Sequence, residues 1–116
     1  RQEVAARYDA MLAASDAPVT TPVARPDVRH VYHQYTLRAP RRDVLLAHLN
    51  SRGIGAIIYY PLPLHLQGLY ADLGMGEGSL PVAEQAGREV LSLPMYPELS
   101  EGQQEQVVAA IAEFYR

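Results

Sequence analysis

The sequence predicts a single α/β (α+β) domain, in which a small sheet of about three strands packs with about four helices. Two kinds of segment favour this fold class. Apolar residues recur at helical spacing in four segments, and β-branched and aromatic residues cluster in three shorter ones. Pro and Gly separate most of these segments. With 116 residues, the chain is long enough for one core between two layers.

Composition and charge exclude several functional classes. The formal net charge is −3 and the isoelectric point is about 5.7, so we expect no nucleic-acid partner. We also expect no membrane partner, because no apolar run approaches the length of a span and no signal peptide opens the chain. The absence of Cys fits a cytoplasmic location, and Arg1 in place of Met indicates a piece of a longer protein. All ten basic residues are Arg, so the chain alone has no Lys amine for Schiff-base chemistry.

The first third of the chain predicts a helix, a loop and a strand. The helix covers Arg1–Ala14, and a proline-rich loop with a short edge strand at Val19–Val23 follows it. Val, Tyr and Thr then predict a strand over Val28–Arg38. Regular alternation would place His30 and His33 on opposite faces, which argues against a shared metal ion.

A second helix and a central strand are predicted next. The helix covers Pro40–Arg52, and Gly53 is a suitable C-terminal stop. The segment Ile54–Tyr60 lacks clean alternation of apolar and polar residues, which predicts a strand buried on both sides. Since Tyr59 and Tyr60 are adjacent, we expect one to pack inward and the other to face the open side of the following loop.

The candidate functional segment is the stretch Tyr59–Gln67, which we call the proline loop. Pro61 and Pro63 fix φ and restrict the residues before them, so a stiff, extended loop is expected. In such a loop Tyr60 and His65 would lie about 15 Å apart, at two ends of one long ligand. A stiff loop suits ligand binding because little entropy is lost. Residue types alone favour the alternative, a structural connection whose Leu residues fill the core.

The last third predicts turns, two helices and a short strand. Residues 68–72 predict a helical turn, and the alternating glycines at 74–78 lack the G-x-G-x-x-G spacing of a phosphate-binding loop, which favours a flexible turn. A helix over Ser79–Glu89 and a strand over Val90–Leu93 follow. The final helix covers Ser100–Tyr115 and begins with a capping box.

Several ordered motifs resemble one family. They are HVYHQY (His30–Tyr35), RGIG (Arg52–Gly55), YPLPLHLQ (Tyr60–Gln67), ADLG (Ala71–Gly74), PVAE (Pro81–Glu84) and LSLPM (Leu91–Met95). Nearly the whole chain resembles the C-terminal small domain of the DegT/DnrJ/StrS family of pyridoxal-phosphate-dependent sugar aminotransferases. The resemblance implies that residues 1–116 are the small domain of a fold-type-I aminotransferase, without the large cofactor-binding domain.

The resemblance also implies a function. The full-length enzyme would transfer an amino group from glutamate or glutamine to a nucleotide-linked keto sugar, as a homodimer, in polysaccharide or antibiotic sugar biosynthesis. The cofactor Lys would lie in the large domain, so we expect this chain alone to be inactive, with no covalently bound pyridoxal phosphate and no catalytic residue. The proline loop would lie beside cofactor and sugar, which implies substrate contacts by Tyr59, Tyr60 and His65. We therefore expect His65 to be exposed, with little effect on stability.

Two other functions stay open. A dehydratase of the same family would keep the cofactor without transferring an amino group, and the residue that usually decides this lies in the large domain. A stand-alone binding module would dock a partner protein on the proline loop. The second alternative is weakened because Pro61-Leu62-Pro63 is not a P-x-x-P ligand and its flanks carry Leu and Tyr instead of Arg.

Overall fold

A computed structural model describes all residues of the chain, Arg1–Arg116. It contains four α-helices and two β-strands in the order α1 (Gln2–Ala14), β1 (Tyr35–Arg38), α2 (Arg42–Ser51), α3 (Pro81–Glu89), β2 (Val90–Leu93) and α4 (Glu101–Tyr115). Two short 3₁₀ turns, Leu64–Leu66 and Gly68–Leu73, lie between α2 and α3. All four predicted helices are therefore present. None of them is both long enough and apolar enough to cross a membrane.

The sheet is an antiparallel pair with single bridges on both edges. β1 and β2 pair in a register that places Thr36 opposite Ser92, with their hydroxyl oxygens 2.8 Å apart. An isolated bridge adds Thr20 beside β1, and another adds Ile57 beside β2. The predicted α/β fold class is confirmed, although the sheet has two strands and not about three.

The predicted central strand over Ile54–Tyr60 does not form. The amide of Ala56 donates a hydrogen bond to the carbonyl of Ile54 at 2.9 Å, so the backbone turns sharply at Gly55. Only Ile57 pairs with β2, and its side chain is 48% exposed instead of buried on both sides. The apolar composition of this segment reflects packing at the sheet edge and not a place inside the sheet.

The strand predicted over Val28–Arg38 begins only at Tyr35. Tyr32 has a positive φ of 45°, and its amide donates to Nδ1 of His30 at 2.9 Å. This local turn interrupts the extended backbone before β1, because a side-chain acceptor replaces the partner that a neighbouring strand would provide. The predicted edge strand at Val19–Val23 is likewise reduced to the bridge at Thr20.

The core lies between the sheet and the helices α1, α2 and α4. Its largest fully buried apolar side chains come from five elements: Tyr8, Tyr35, Leu37, Leu45, Leu49, Leu91 and Ile111. Gln104 of α4 is also fully buried, and its amide donates to the carbonyl of Val4 in α1 at 2.8 Å. Its side-chain oxygen accepts from Nε of Arg7 at 2.7 Å. Because every polar group of Gln104 has a partner, it joins the first and last helices without the cost of an unsatisfied buried amide.

The helix ends follow from local sequence. Ser100 and Gln103 form the predicted capping box, in which the Gln103 amide donates to the Ser100 hydroxyl at 3.3 Å and the Ser100 amide donates to the Gln103 side chain at 3.0 Å. Pro81 occupies the first turn of α3, where its missing N–H costs nothing. Gly53 follows α2 with a φ of 74°, a conformation that favours glycine at a helix end. These local signals place α3 directly after the glycine-rich turn.

Candidate functional site

The proline loop is extended at Pro63 and then bends. Pro63 has φ −57° and ψ 146°, the polyproline conformation that the sequence predicts. Directly afterwards the chain enters the 3₁₀ turn Leu64–Leu66, where the amide of Leu66 donates to the carbonyl of Pro63 at 3.0 Å. The straight loop assumed for the distance between Tyr60 and His65 is therefore not formed over its whole length.

A groove of about 460 Å³ runs between the proline loop and α3. The three residues predicted as substrate contacts, Tyr59, Tyr60 and His65, all line it. The opposite wall is formed by α3 and its flanks, with the residues Leu80, Ala83, Ala86, Gly87 and Val90. A mainly apolar lining with a few polar groups at fixed positions is typical of small-molecule sites. The bend of the proline loop thus brings together side chains that a straight loop would hold apart.

Gly87 allows α3 to lie directly against the backbone of the proline loop. A Cβ atom at this position would lie 3.1 Å from the carbonyl oxygen of Pro61 and 3.2 Å from Cδ of Pro63. On its other side, the guanidinium of buried Arg42 donates to the carbonyl of Gly87 at 2.9 Å and to that of Val90 at 2.7 Å. Contacts on both sides of α3 therefore fix the width of the groove.

The two tyrosines at the start of the loop differ in exposure. Tyr59 is 37% exposed and Tyr60 is 75% exposed, and their rings meet edge to face with centroids 5.7 Å apart. Tyr59 is the less exposed of the pair, but both residues are exposed and both line the groove, so neither packs inward as the sequence predicted. Tyr59 also lines a second, smaller groove of about 210 Å³ together with His33 and Gln34. Tyr59 therefore lines both of these cavities, whereas Tyr60 lines only the first of the two.

His65 is buried, contrary to the prediction of an exposed side chain. Only 7% of the residue is exposed, and its Nε2 lies 2.9 Å from Oε1 of Glu84, which is itself 5% exposed. The reason is the bend at Leu64–Leu66, which turns the imidazole toward the first turn of α3. His65 still lines the groove, but as part of a buried hydrogen-bonded pair.

Glu84 is the charged residue that sequence reasoning missed. Its carboxylate accepts from the amide of Gly78 at 2.9 Å, from the amide of Leu80 at 3.1 Å, and from His65. The hydrogen bond from Gly78 and then that from His65 lower the pKa of Glu84 below its usual value of 4.5, against the opposing effect of burial. Glu84 is therefore ionised at neutral pH and binds the glycine-rich turn and His65 with one carboxylate.

The sequence did contain signals for Glu84 and Gly87. A carboxylate in the first turn of a helix is favoured by the free N–H groups there. A glycine inside a helix costs about 1 kcal/mol relative to Ala, so its presence often marks a close approach. Neither signal identifies the neighbour, because the contact between Glu84 and His65 joins residues 19 positions apart in the chain.

Comparisons with known proteins agree on one family. Residues 1–112 match the model of the DegT/DnrJ/EryC1/StrS aminotransferase family. The "Pleiotropic regulatory protein" of Geobacillus stearothermophilus is 55% identical over 118 residues, covering 100% of this chain and 32% of that protein. The dTDP-3-amino-3,4,6-trideoxy-alpha-D-glucose transaminase of Streptomyces venezuelae is 43% identical, covering 98% of this chain and 30% of that protein. The crystal structure of S. venezuelae DesV in complex with a ketimine intermediate has a TM-score of 0.92 at 43% identity, covering 100% of this chain and 31% of that one.

By its α/β fold and by these similarities, the chain falls in the aminotransferase class of proteins. The chain belongs to the DegT/DnrJ/EryC1/StrS aminotransferase family, which confirms the resemblance seen in its motifs. Several of its relatives are named as transaminases or aminotransferases of nucleotide sugars. The chain spans about 30% of the length of the curated relatives that it matches.

Pyridoxal phosphate, the cofactor of this family, finds no Lys side chain for covalent attachment in this chain. Attachment needs a Lys amine, and all ten basic residues are Arg, whose guanidinium stays protonated. The chain also has no group of three or more His, Asp or Glu side chains that could hold a metal ion. The polar side chains that line the groove can take part in hydrogen bonds but include no amine for covalent attachment.

Proposed function

We propose that this chain is the C-terminal small domain of a pyridoxal-phosphate-dependent aminotransferase that acts on a nucleotide-linked keto sugar. The amino donor is glutamate or glutamine. The observation that carries the proposal is the family match over residues 1–112. The chain also covers only about a third of the length of its relatives, as expected for one domain of a longer enzyme. Two of those relatives bear names of enzymes that act on dTDP- or UDP-linked sugars. Alone the chain is inactive, because it lacks the Lys that the chemistry needs.

We assign the groove between the proline loop and α3 to the sugar end of the substrate. Its apolar wall packs against a sugar ring, while Tyr60 and His65 offer hydrogen bonds to hydroxyl groups. The Tyr60 ring is 75% exposed, so its hydroxyl is free to bind, and the more buried Tyr59 stiffens the start of the loop. These residues bind and orient the substrate. The amino-transfer chemistry belongs to the cofactor, held by the rest of the protein.

The test uses the longer protein that contains this chain. In the presence of at least one dTDP- or UDP-linked amino sugar, we expect it to form glutamate from 2-oxoglutarate or glutamine from 2-oxoglutaramate. We also expect it to show the visible absorbance of bound pyridoxal phosphate. The free nucleotides and the free amino sugars are the controls. Assays in the forward direction with glutamate and with glutamine then identify the amino donor.

Other outcomes of the same test support the alternatives. Loss of a sugar hydroxyl without any need for an amino donor identifies the dehydratase. An independent reading frame of this length that binds no cofactor identifies the stand-alone binding module. The homodimer and the cytoplasmic location stay predictions, and light scattering on the longer protein tests the first of them.

A further inference from the structure

The pair formed by His65 and Glu84 is the buried ionisable group that substrate binding alone does not explain. Their side chains are 5% and 4% exposed, and Nε2 of His65 lies 2.9 Å from Oε1 of Glu84. The same carboxylate accepts two amide hydrogens, from Gly78 and Leu80. Three donors, one of them the Gly78 amide shared between both carboxylate oxygens, hold the carboxylate in a single orientation, so the imidazole that it binds has little freedom to rotate.

The contact also decides which ring nitrogen of His65 carries the proton. An ionised carboxylate can only accept hydrogen bonds, so Nε2 must be the donor. In the neutral imidazole Nδ1 is then unprotonated and can only accept. Nδ1 has no hydrogen bond within the chain, yet no buried side-chain nitrogen or oxygen lacks a partner. Nδ1 is therefore not fully enclosed, and the groove is a cavity that His65 lines.

We propose that Glu84 is a positioning residue, which presents Nδ1 of His65 to the groove as an acceptor for a hydroxyl group of the sugar. This inference rests on the proposed function, because it assigns the groove to the same substrate. It also makes the pair a determinant of specificity. A hydroxyl donates to Nδ1, whereas a phosphate or carboxylate oxygen at the same point has no proton to offer.

The kinetic test is a double-mutant cycle in the longer protein. Glu84→Met removes the acceptor at nearly constant length, and we expect kcat/KM for the nucleotide sugar to fall about three- to tenfold, mainly through KM. Glu84→Gln keeps an oxygen for His65 and should recover most of that loss. In a His65→Phe background, Glu84→Met should cause less than about a twofold further loss. An equal loss in both backgrounds would overturn the proposal, because Glu84 would then act independently of the imidazole.

Histidine nitrogen NMR gives a second reading that needs no activity. In the longer protein with ¹⁵N-labelled His, we expect the His65 signals of an unprotonated Nδ1 and a protonated Nε2, assigned by their absence in His65→Phe. This pattern should be kept in Glu84→Gln and lost in Glu84→Met. A wild-type His65 with its proton on Nδ1 overturns the inference, even if every sugar assay succeeds. A missing aminotransferase activity overturns the proposed function instead and leaves this reading unaffected. If Glu84→Met does not fold, the wild-type and Glu84→Gln spectra still decide the outcome.

Discussion

Replacement of Gly87 by Ala tests the contact between α3 and the proline loop without altering Tyr60 or His65, the side chains assigned to hydrogen bonds with the substrate. At an open helical position this change stabilises a protein by about 0.5–1 kcal/mol, because Ala has the higher helix propensity. At Gly87 the new Cβ would lie 3.1 Å from the carbonyl oxygen of Pro61 and 3.2 Å from Cδ of Pro63. The optimum separation of such atoms is about 3.5–4.0 Å.

Neither neighbour of the new methyl group can rotate away. One is a backbone carbonyl and the other a proline ring, so the relief must come from a shift of α3 or of the loop. Inserting a methyl group into a packed site costs about 1–3 kcal/mol. After the gain in helix propensity is subtracted, we expect Gly87→Ala to destabilise the protein by up to about 2 kcal/mol.

Gly102→Ala is the matched control, because Gly102 lies in the first turn of α4 and no atom lies within 4 Å of its added Cβ. In thermal unfolding of the longer protein, Gly102→Ala should raise Tm or leave it unchanged, whereas Gly87→Ala should lower it by about 2–4 °C per kcal/mol lost. The shift of the loop should also lower kcat/KM in Gly87→Ala alone. If Gly87→Ala raises Tm like the control and leaves the kinetics unchanged, α3 does not lie against the loop as described.

Four further results are expected. Tyr60→Phe should lower kcat/KM by a few-fold to about tenfold with no change in Tm. Tyr59→Phe should change Tm more than it changes kcat/KM. The opposite pattern would mean that the roles of the two tyrosines are exchanged. His65→Ala should lower Tm in thermal melts and kcat/KM in steady-state assays, because it leaves the buried carboxylate of Glu84 without one of its hydrogen-bond donors. An unchanged Tm would contradict the buried pair of His65 and Glu84. The folded pKa of Glu84 is lowered from 4.5, so the stabilisation by its carboxylate is present above that value and is lost as the pH falls through the lower folded pKa. Glu84→Gln should therefore flatten the dependence of Tm on pH in this acidic range. An unaltered dependence of Tm on pH would argue against this role of Glu84. Treatment of this chain with pyridoxal phosphate and borohydride, with the N-terminal amine blocked, should give no stoichiometric side-chain adduct by intact mass, and any such adduct would contradict the argument from the missing Lys.

The helices could be predicted from the sequence because their signals are local. Ser100 and Gln103 lie three positions apart and bind each other, and Pro81 needs no partner at the start of α3. The strands could not be predicted as well, because each depends on a partner distant in sequence. The segment before Tyr35 has the composition of a strand, but Tyr32 donates to its neighbour His30 instead of to another strand.

The same distinction applies to the candidate site. Sequence reasoning selected Tyr59, Tyr60 and His65, and the structure brings all three to one groove. It could not show that His65 is buried, since this burial involves Glu84 of α3, a residue 19 positions further along the chain. Residue types identify which side chains can bind a ligand, whereas their proton states and exposure depend on packing between distant segments.

Three residues of α3 line the groove, and they differ in whether a larger side chain would fit. Gly87 is closed to any larger side chain by Pro61 and Pro63, whereas Ala83 and Ala86 face the groove itself. With the proposed sugar in the groove, enlarging either alanine would reduce the volume available to it and would leave the backbone contact of Gly87 intact. Under the proposed function, the side chains at Ala83 and Ala86 therefore set how bulky a sugar the groove admits, and a change at either position leaves the proline loop in place.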